Sequence, residues 1–300
     1  MTYDRRIDRE HPSLVVLLLD QSGSMSATMG GDHRTRAEAV ADAVNSVLLE
    51  LVLRCVKDAD EGPRPYYDVA VIGYAIRDQV GPVLGGALEG RRMVSSVELA
   101  EHPLRLEERA TDGGRTVRTP VWVEPLAVGA TPMCEALDLA GNICAEWIEE
   151  HPHSFPPVVI NLTDGVANDG DPAAWVERLV RLSTTDGALL LFNASIATEA
   201  GGTVAFPSDP DGLPSDEARA LFALSSTLPP FMVEAAAAAG HDVGPGARGF
   251  VHNADVASIL SFLRIGTATV HTLPGGAAGD RAGSQPALGA GAPDGAGSER

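Results

Sequence analysis

Cationic residues are scarce in this chain. Lysine and arginine total 22 against 41 aspartates and glutamates, a formal net charge of −19 over 300 residues. Such a surface repels phosphate backbones and excludes nucleic acid as a partner. Cysteine is rarer still, with only Cys55, Cys134 and Cys144. The number is odd and no spacing matches a zinc site, so a disulfide framework is not expected and the compartment reads as reducing. Cys134 reads as a small buried apolar side chain rather than a reactive thiol. No apolar run approaches the ~20 residues that span a bilayer, so no membrane role is expected. Leu14 to Leu19 is too short for a signal-peptide core and is followed at once by Asp20. These absences together point to a cytoplasmic protein. No Gly-x-Gly-x-x-Gly follows a predicted strand and no Walker phosphate loop occurs, which leaves nucleotide binding without support. No solenoid-type repeat is visible.

What is present is concentrated in one short stretch. The apolar run from Leu14 to Leu19 ends in Asp20-Gln-Ser22-Gly-Ser24-Met25. The run reads as a buried strand, and its carboxyl end is where open α/β sheets place their ligands. Asp20, Ser22 and Ser24 offer three hard oxygen donors on one tight loop, and Gly23 lets the backbone turn between the serines. Mg²⁺ prefers such donors, at about 2.0–2.1 Å in near-octahedral geometry. Asp20 does not fit a phosphoryl-accepting aspartate of the haloacid dehalogenase type, because Ser22 stands where that chemistry wants a second carboxylate. A serine nucleophile would need a His or Lys base, and the loop has none.

Elsewhere strands and helices alternate, as in a doubly wound α/β domain. Thr35-Arg-Ala-Glu38 has capping-box spacing and opens a helix to about Val56. Tyr67 to Ile76 reads as a strand and Gln79 to Leu84 as its hairpin partner. Leu88 to Val128 is polar and irregular apart from a short strand at Val117 to Val123, and it reads as an insertion near the ligand-binding face, over about 86–128. Pro132 starts a helix that runs to Glu150. Val158 to Leu162 is a strand ending in Thr163-Asp164-Gly165. Pro172 to Leu182 is a helix, which Asp171 caps, and Ala188 to Ser195 is a strand. Helices are expected at Asp216 to Ser225, Pro230 to Ala239 and Asp255 to Arg264, with a final edge strand at Gly246 to His252. The expected organisation is an extension over 1–12, one domain over 13–270 and a disordered Gly/Ala-rich tail over 271–300.

The Asp20-x-Ser22-x-Ser24 pattern resembles the metal-ion-dependent adhesion site of von Willebrand factor A domains. That family requires a threonine on a second loop and an aspartate on a third. Thr131, in Gly129-Ala-Thr131-Pro132-Met133, and Asp164, in Val158-Val-Ile-Asn-Leu-Thr163-Asp164-Gly165, answer to them. The resemblance implies a Rossmann-like, mostly parallel sheet with one antiparallel edge strand and helices on both faces. It implies a metal site of Asp20, Ser22, Ser24, Thr131 and Asp164, holding Mg²⁺ with Mn²⁺ or Ca²⁺ as alternatives. Ser22 and Ser24 would bind directly, Thr131 directly or through water, and the two aspartates through waters. An acidic group of a partner protein would fill the open position. Two stretches, Pro120-Val-Trp122-Val-Glu-Pro125 and Pro156-Pro-Val-Val-Ile-Asn-Leu-Thr163-Asp164-Gly165, are similar to bacterial cytoplasmic members from tellurite-resistance and stress-response loci. Kinship there implies a non-enzymatic adaptor or scaffold working with a PP2C-type phosphatase or a Ser/Thr kinase. A metal-dependent phosphatase or hydrolase, and an accessory subunit of an AAA+ ATPase, stand as alternatives.

Overall fold

A computed structural model describes residues 3–29, 33–58, 61–75, 79–110, 116–196 and 202–268. The expected tail, the Asp112-Gly-Gly114 turn and the turn around Gly30 to Asp32 lie outside the described residues. In chain order the elements are β1 Ser13–Asp20, α1 Arg36–Cys55, β2 Tyr67–Tyr74, β3 Gly81–Pro82, β4 Val94–Ser95, α2 Ser96–Glu101, β5 Arg105–Ala110, β6 Thr116–Val121 and α3 Met133–Glu150. They continue with β7 Val158–Thr163, α4 Ala173–Leu179, β8 Leu190–Ser195, β9 Val204–Ala205, α5 Asp216–Leu224, α6 Pro230–Ala238, β10 Phe250–His252 and α7 Val256–Gly266.

β1 is an interior strand of the sheet. It pairs in parallel with β2 on one side and with β7 on the other. The parallel sheet continues through β8 to β10. All eight residues of β1 are buried, as expected of a strand covered on both faces. The two-residue period of a strand then sorts its side chains. Val15, Leu17 and Leu19 join the cluster formed with α1, α6 and α7, whereas Leu14, Val16 and Leu18 join the one formed with α3, α4 and α5. Helices therefore flank both faces, and the fold is α/β and Rossmann-like.

Antiparallel strands finish the sheet at both ends. β3, the expected hairpin partner, and β4 both pair with β2, and β9 pairs with β10. The strand at Phe250–His252 is thus not the outer one. Two residues of the preceding loop, Val204 and Ala205, are enough to cover its edge.

The helix starts follow local chemistry. Thr35 and Glu38 close both halves of a capping box at α1. α4 is shorter than the expected Pro172 to Leu182, and the Asp171 carboxylate accepts from the Ala173 N–H at its start.

The stretch read as irregular is built of small elements. Ser95 and Glu98 form a capping box on α2, a Ser-x-x-Glu signal that its polar surroundings obscured. β5 and β6 make a separate antiparallel hairpin, paired from Arg105↔Val121 to Ala110↔Thr116. The hairpin is fastened to α1 by Asn45, which is 4% exposed. Its Nδ2 donates to the Val123 carbonyl at 2.9 Å, and its Oδ1 accepts from Trp122 N–H at 2.8 Å and Val123 N–H at 3.1 Å.

Asn45→Ala would strand two buried N–H groups and a carbonyl, at about 1–3 kcal/mol for each group left unmet. The expected loss is about 3 kcal/mol of unfolding free energy, measured by urea titration. A loss below about 0.5 kcal/mol, the size of an ordinary surface change, would show that the hairpin is not fastened this way.

Candidate metal centre

The chain leaves β1 through α1 on one face and arrives at β7 from α3 on the other. The carboxyl ends of these two neighbouring strands therefore open a crevice at a topological switch point. Asp20 ends β1, and Thr163-Asp164 ends β7.

The hydrogen bonds tie these ends together. Asp20 Oδ1 accepts from the Ser22 N–H at 2.8 Å, which shapes the serine loop. Asp20 Oδ2 accepts from Thr163 Oγ1 at 2.6 Å. Ser22 Oγ lies 2.9 Å from Ser24 Oγ, and Ser24 Oγ donates to Asp164 Oδ1 at 2.7 Å. Asp20, Ser22, Ser24 and Asp164 are thus joined in one polar chain across two loops.

Thr131 arrives on a third loop whose contacts run through the backbone. The Gly129 carbonyl accepts from the Gly23 N–H at 3.2 Å, and the Thr131 carbonyl accepts from the Asn168 N–H at 3.1 Å. Thr131 is buried, at 8% exposed. Among the described residues no side-chain hydrogen bond joins it to the other four. The structure brings its loop against both the serine loop and the loop after Asp164.

Several supporting residues have no part in the sequence pattern. Arg36 Nη1 donates to Asp164 Oδ2 at 2.5 Å, and the Asp164 carboxylate has no exposed side-chain surface. Removing one partner of so buried a pair typically costs ~3–5 kcal/mol. Arg36 follows the Thr35 cap directly, so the capping signal could have placed it at the mouth of the loop. Asp169 is a second case. Its two oxygens accept from the Cys134 and Glu135 N–H groups, at 3.1 and 2.9 Å, and so cap α3. The Asp169-Gly170-Asp171 turn therefore starts two helices, α3 as well as the expected one that Asp171 caps. Thr163, the third case, stands beside Asp164 and hides in plain sight as the last residue of an apolar strand.

Electrostatics make the site costly. Burial pushes the Asp20 carboxyl above its ordinary value and the nearby Asp164 charge adds to this, while hydrogen bonds from Ser22 and Thr163 pull it down. Tyr74, fully enclosed beneath, is pushed well above its ordinary value by burial and then by Asp20. Burial, aided by Asp169, pushes the Cys134 thiol up to about 12, which suits the inert role expected of it.

The residues fit a hard divalent cation. Oxygens on adjacent corners of an octahedron with bonds of about 2.0–2.1 Å stand about 2.9 Å apart. The Ser22 and Ser24 hydroxyls have that separation, and Asp164 accepts a hydrogen bond from the second of them. Two buried carboxylates beside them supply negative charge that a cation would neutralise. Among the described residues there is no cluster of three or more His, Cys, Asp or Glu side chains, so any ion here would rely on hydroxyl donors.

The raised Asp20 value gives a signed pH dependence. Above its folded value the native state carries a buried charge that the unfolded chain carries in water; below the unfolded value, about 3.9, both states are protonated and the cost disappears. Asp20→Asn should therefore melt higher than wild type at neutral pH in chelator, with the advantage shrinking as pH falls towards about 4. Melting curves across that range check it, and a variant less stable at neutral pH would refute it.

No family model matches the sequence. No curated protein matches it either. Among solved structures, the chain is similar to the crystal structure of manganese-loaded Plasmodium vivax TRAP protein, at 14% identity and a TM-score of 0.39, over 87% of this chain and 76% of that one.

Proposed function

We propose that the chain is a metal-dependent protein-interaction module that binds an acidic group of a partner at the Asp20–Ser22–Ser24–Asp164 crevice. The observation that carries this reading is the run of hydroxyl and carboxylate oxygens, at 2.9 and 2.7 Å spacing, closed by two buried aspartates. Ser22 and Ser24 would hold Mg²⁺, or Mn²⁺ or Ca²⁺ in its place. Thr131 would bind directly or through water, and Asp20 and Asp164 would orient waters and supply charge. When bound, the cation supplies concentrated positive charge to a pocket otherwise dominated by carboxylates.

The chain's own residues favour an anionic guest once Asp164 is neutralised. Arg36 points its guanidinium into the site, and α1 begins there, so its amino-terminal partial charge adds to the attraction. The net charge of −19 provides no long-range pull on an acidic partner, so recognition rests on this local positive spot.

Binding rather than catalysis is the reading we favour. Among the described residues, the side chains bonded to the donor set are hydroxyls, carboxylates and one guanidinium, a group suited to holding oxygen ligands. The partner class comes from kinship alone: a PP2C-type phosphatase or a Ser/Thr kinase, with the chain acting as a cytoplasmic adaptor or scaffold in bacterial signalling or stress response. Among the described residues no helix is long and apolar enough to cross a membrane.

Saturating Mg²⁺ should raise the melting temperature, with about 2.7 kcal/mol of stabilisation at a hundredfold excess over Kd. Ser24→Ala, at an exposed position, should lose that shift and keep the fold, as judged by circular dichroism. Absence of any Mg²⁺, Mn²⁺ or Ca²⁺ shift in wild type would overturn the metal reading. Turnover of a generic phosphate ester that Asp20→Ala abolishes would overturn the non-catalytic one.

A further inference from the structure

The hairpin of β5 and β6 has two edges, and they differ. Among the described residues no third strand joins it. A two-stranded ribbon standing alone is marginally stable, and its outward N–H and carbonyl groups are a template for another strand. Here one side of the ribbon is held in place. Asn45 fastens its end to α1, and Arg109 Nη2 donates to Asp42 Oδ1 of the same helix at 2.7 Å.

Pro120 blunts the edge of β6. A residue without an N–H sits in such a strand only where that group would face outward. Residues directly opposite one another in an antiparallel ladder are both bonded or both unbonded, and the two states alternate along the strand. Leu106 stands opposite Pro120, and Glu108 opposite Arg118. The Leu106 and Glu108 main-chain groups therefore point away from β6, on an edge that carries neither proline nor glycine. Leu106 is 49% exposed. Glu108 is exposed too, and among the described residues its one ionic neighbour is Arg118, 3.8 Å away across the hairpin. On the opposite face Glu107 is already bonded to both Arg105 and Arg109.

We infer that the β5 edge binds an extended segment of a partner protein as an added antiparallel strand, with a basic side chain opposite Glu108 and an apolar one opposite Leu106. In the partner's own direction the basic residue comes first and the apolar one two positions later. Antiparallel pairing is the more stable per residue. Main-chain bonds supply the attachment, and alternate side chains supply the selectivity. A second copy of this chain fits poorly. Pairing Leu106 and Glu108 with the same two residues of a copy sets Glu107 against Glu107 and Arg105 against Arg109, and like charges directly opposite are destabilising. Sliding the register one step sets Glu108 against itself or leaves it beyond the end of the strand. The charges that oppose self-pairing thus favour a basic partner strand. This edge lies outside the metal site and needs no cation.

The test titrates the isotope-labelled full chain, in chelator, with the peptide Thr-Thr-Arg-Thr-Val-Thr-Thr and follows the backbone amides by NMR. Shifts centred on Leu106 and Glu108 are expected. A favourable cross-strand charge pair corresponds to up to about fivefold in affinity, so the peptide with Glu in place of Arg should bind about fivefold more weakly. Glu108→Lys should reverse that preference. N-methylation of the peptide's Arg and Val should abolish binding, because their N–H groups would face β5. Leu106→Pro should abolish it too and leave the circular dichroism spectrum unchanged, since β6 makes no use of that N–H. Absence of binding, or shifts confined to another part of the chain, would overturn the inference. So would binding that survives N-methylation, or a wild-type preference for the Glu peptide. Dimerisation of the free chain that Leu106→Pro removes would give the edge to a second copy and overturn it as well.

Discussion

Two carboxylates buried at the ends of neighbouring parallel strands are the constraint around which this protein is organised. Asp20 and Asp164 are brought together because β1 and β7 pair in parallel, so their carboxyl ends coincide. Buried charge is tolerated only where it is paired and hydrogen-bonded. The structure meets that demand with Thr163 and the Ser22 N–H on one carboxylate, and with Ser24 and Arg36 on the other. An apolar replacement for such a cluster would be simpler and no less stable.

Three loops hold one another in place around that charge. The serine loop is shaped by Asp20 and touches Gly129; the Thr131 loop is fastened to Asn168; the Asp164 loop bonds back to Ser24. Asp169 adds a link by capping α3, the helix that begins directly after Thr131. The same loops carry Val128 and Val166 to the surface. Beneath them a buried chain of side chains runs from Tyr74 through Asn161 and Asn193 to Ser225, at the end of α5.

Much of the fold was legible from periodicity. The unbroken apolar run of Leu14 to Leu19 announced β1 as a buried strand, the mostly apolar Val158 to Leu162 announced β7, and the Thr35–Glu38 pair announced α1. Short elements were not legible. β4, α2 and β9 have too few residues for a period to show, and they exist because tertiary partners wait for them. At the site, Asp20, Ser22 and Ser24 could be read as a local pattern of donors, and Thr131 and Asp164 were reached only through a family resemblance. Arg36, Thr163 and Asp169 escaped because each acts across the fold, on a residue at least 34 positions away. Sequence spacing carries no signal for pairs of that kind.

We propose that hydroxyls and carboxylates from separate loops enclose one divalent cation. Anomalous diffraction from crystals grown with Mn²⁺ tests it most directly. One strong peak is expected within bonding distance of the Ser22 and Ser24 hydroxyls, with Thr131, Asp20 and Asp164 grouped around it. A strong peak elsewhere on the chain, or Thr131 turned away from a peak at the serines, would contradict it.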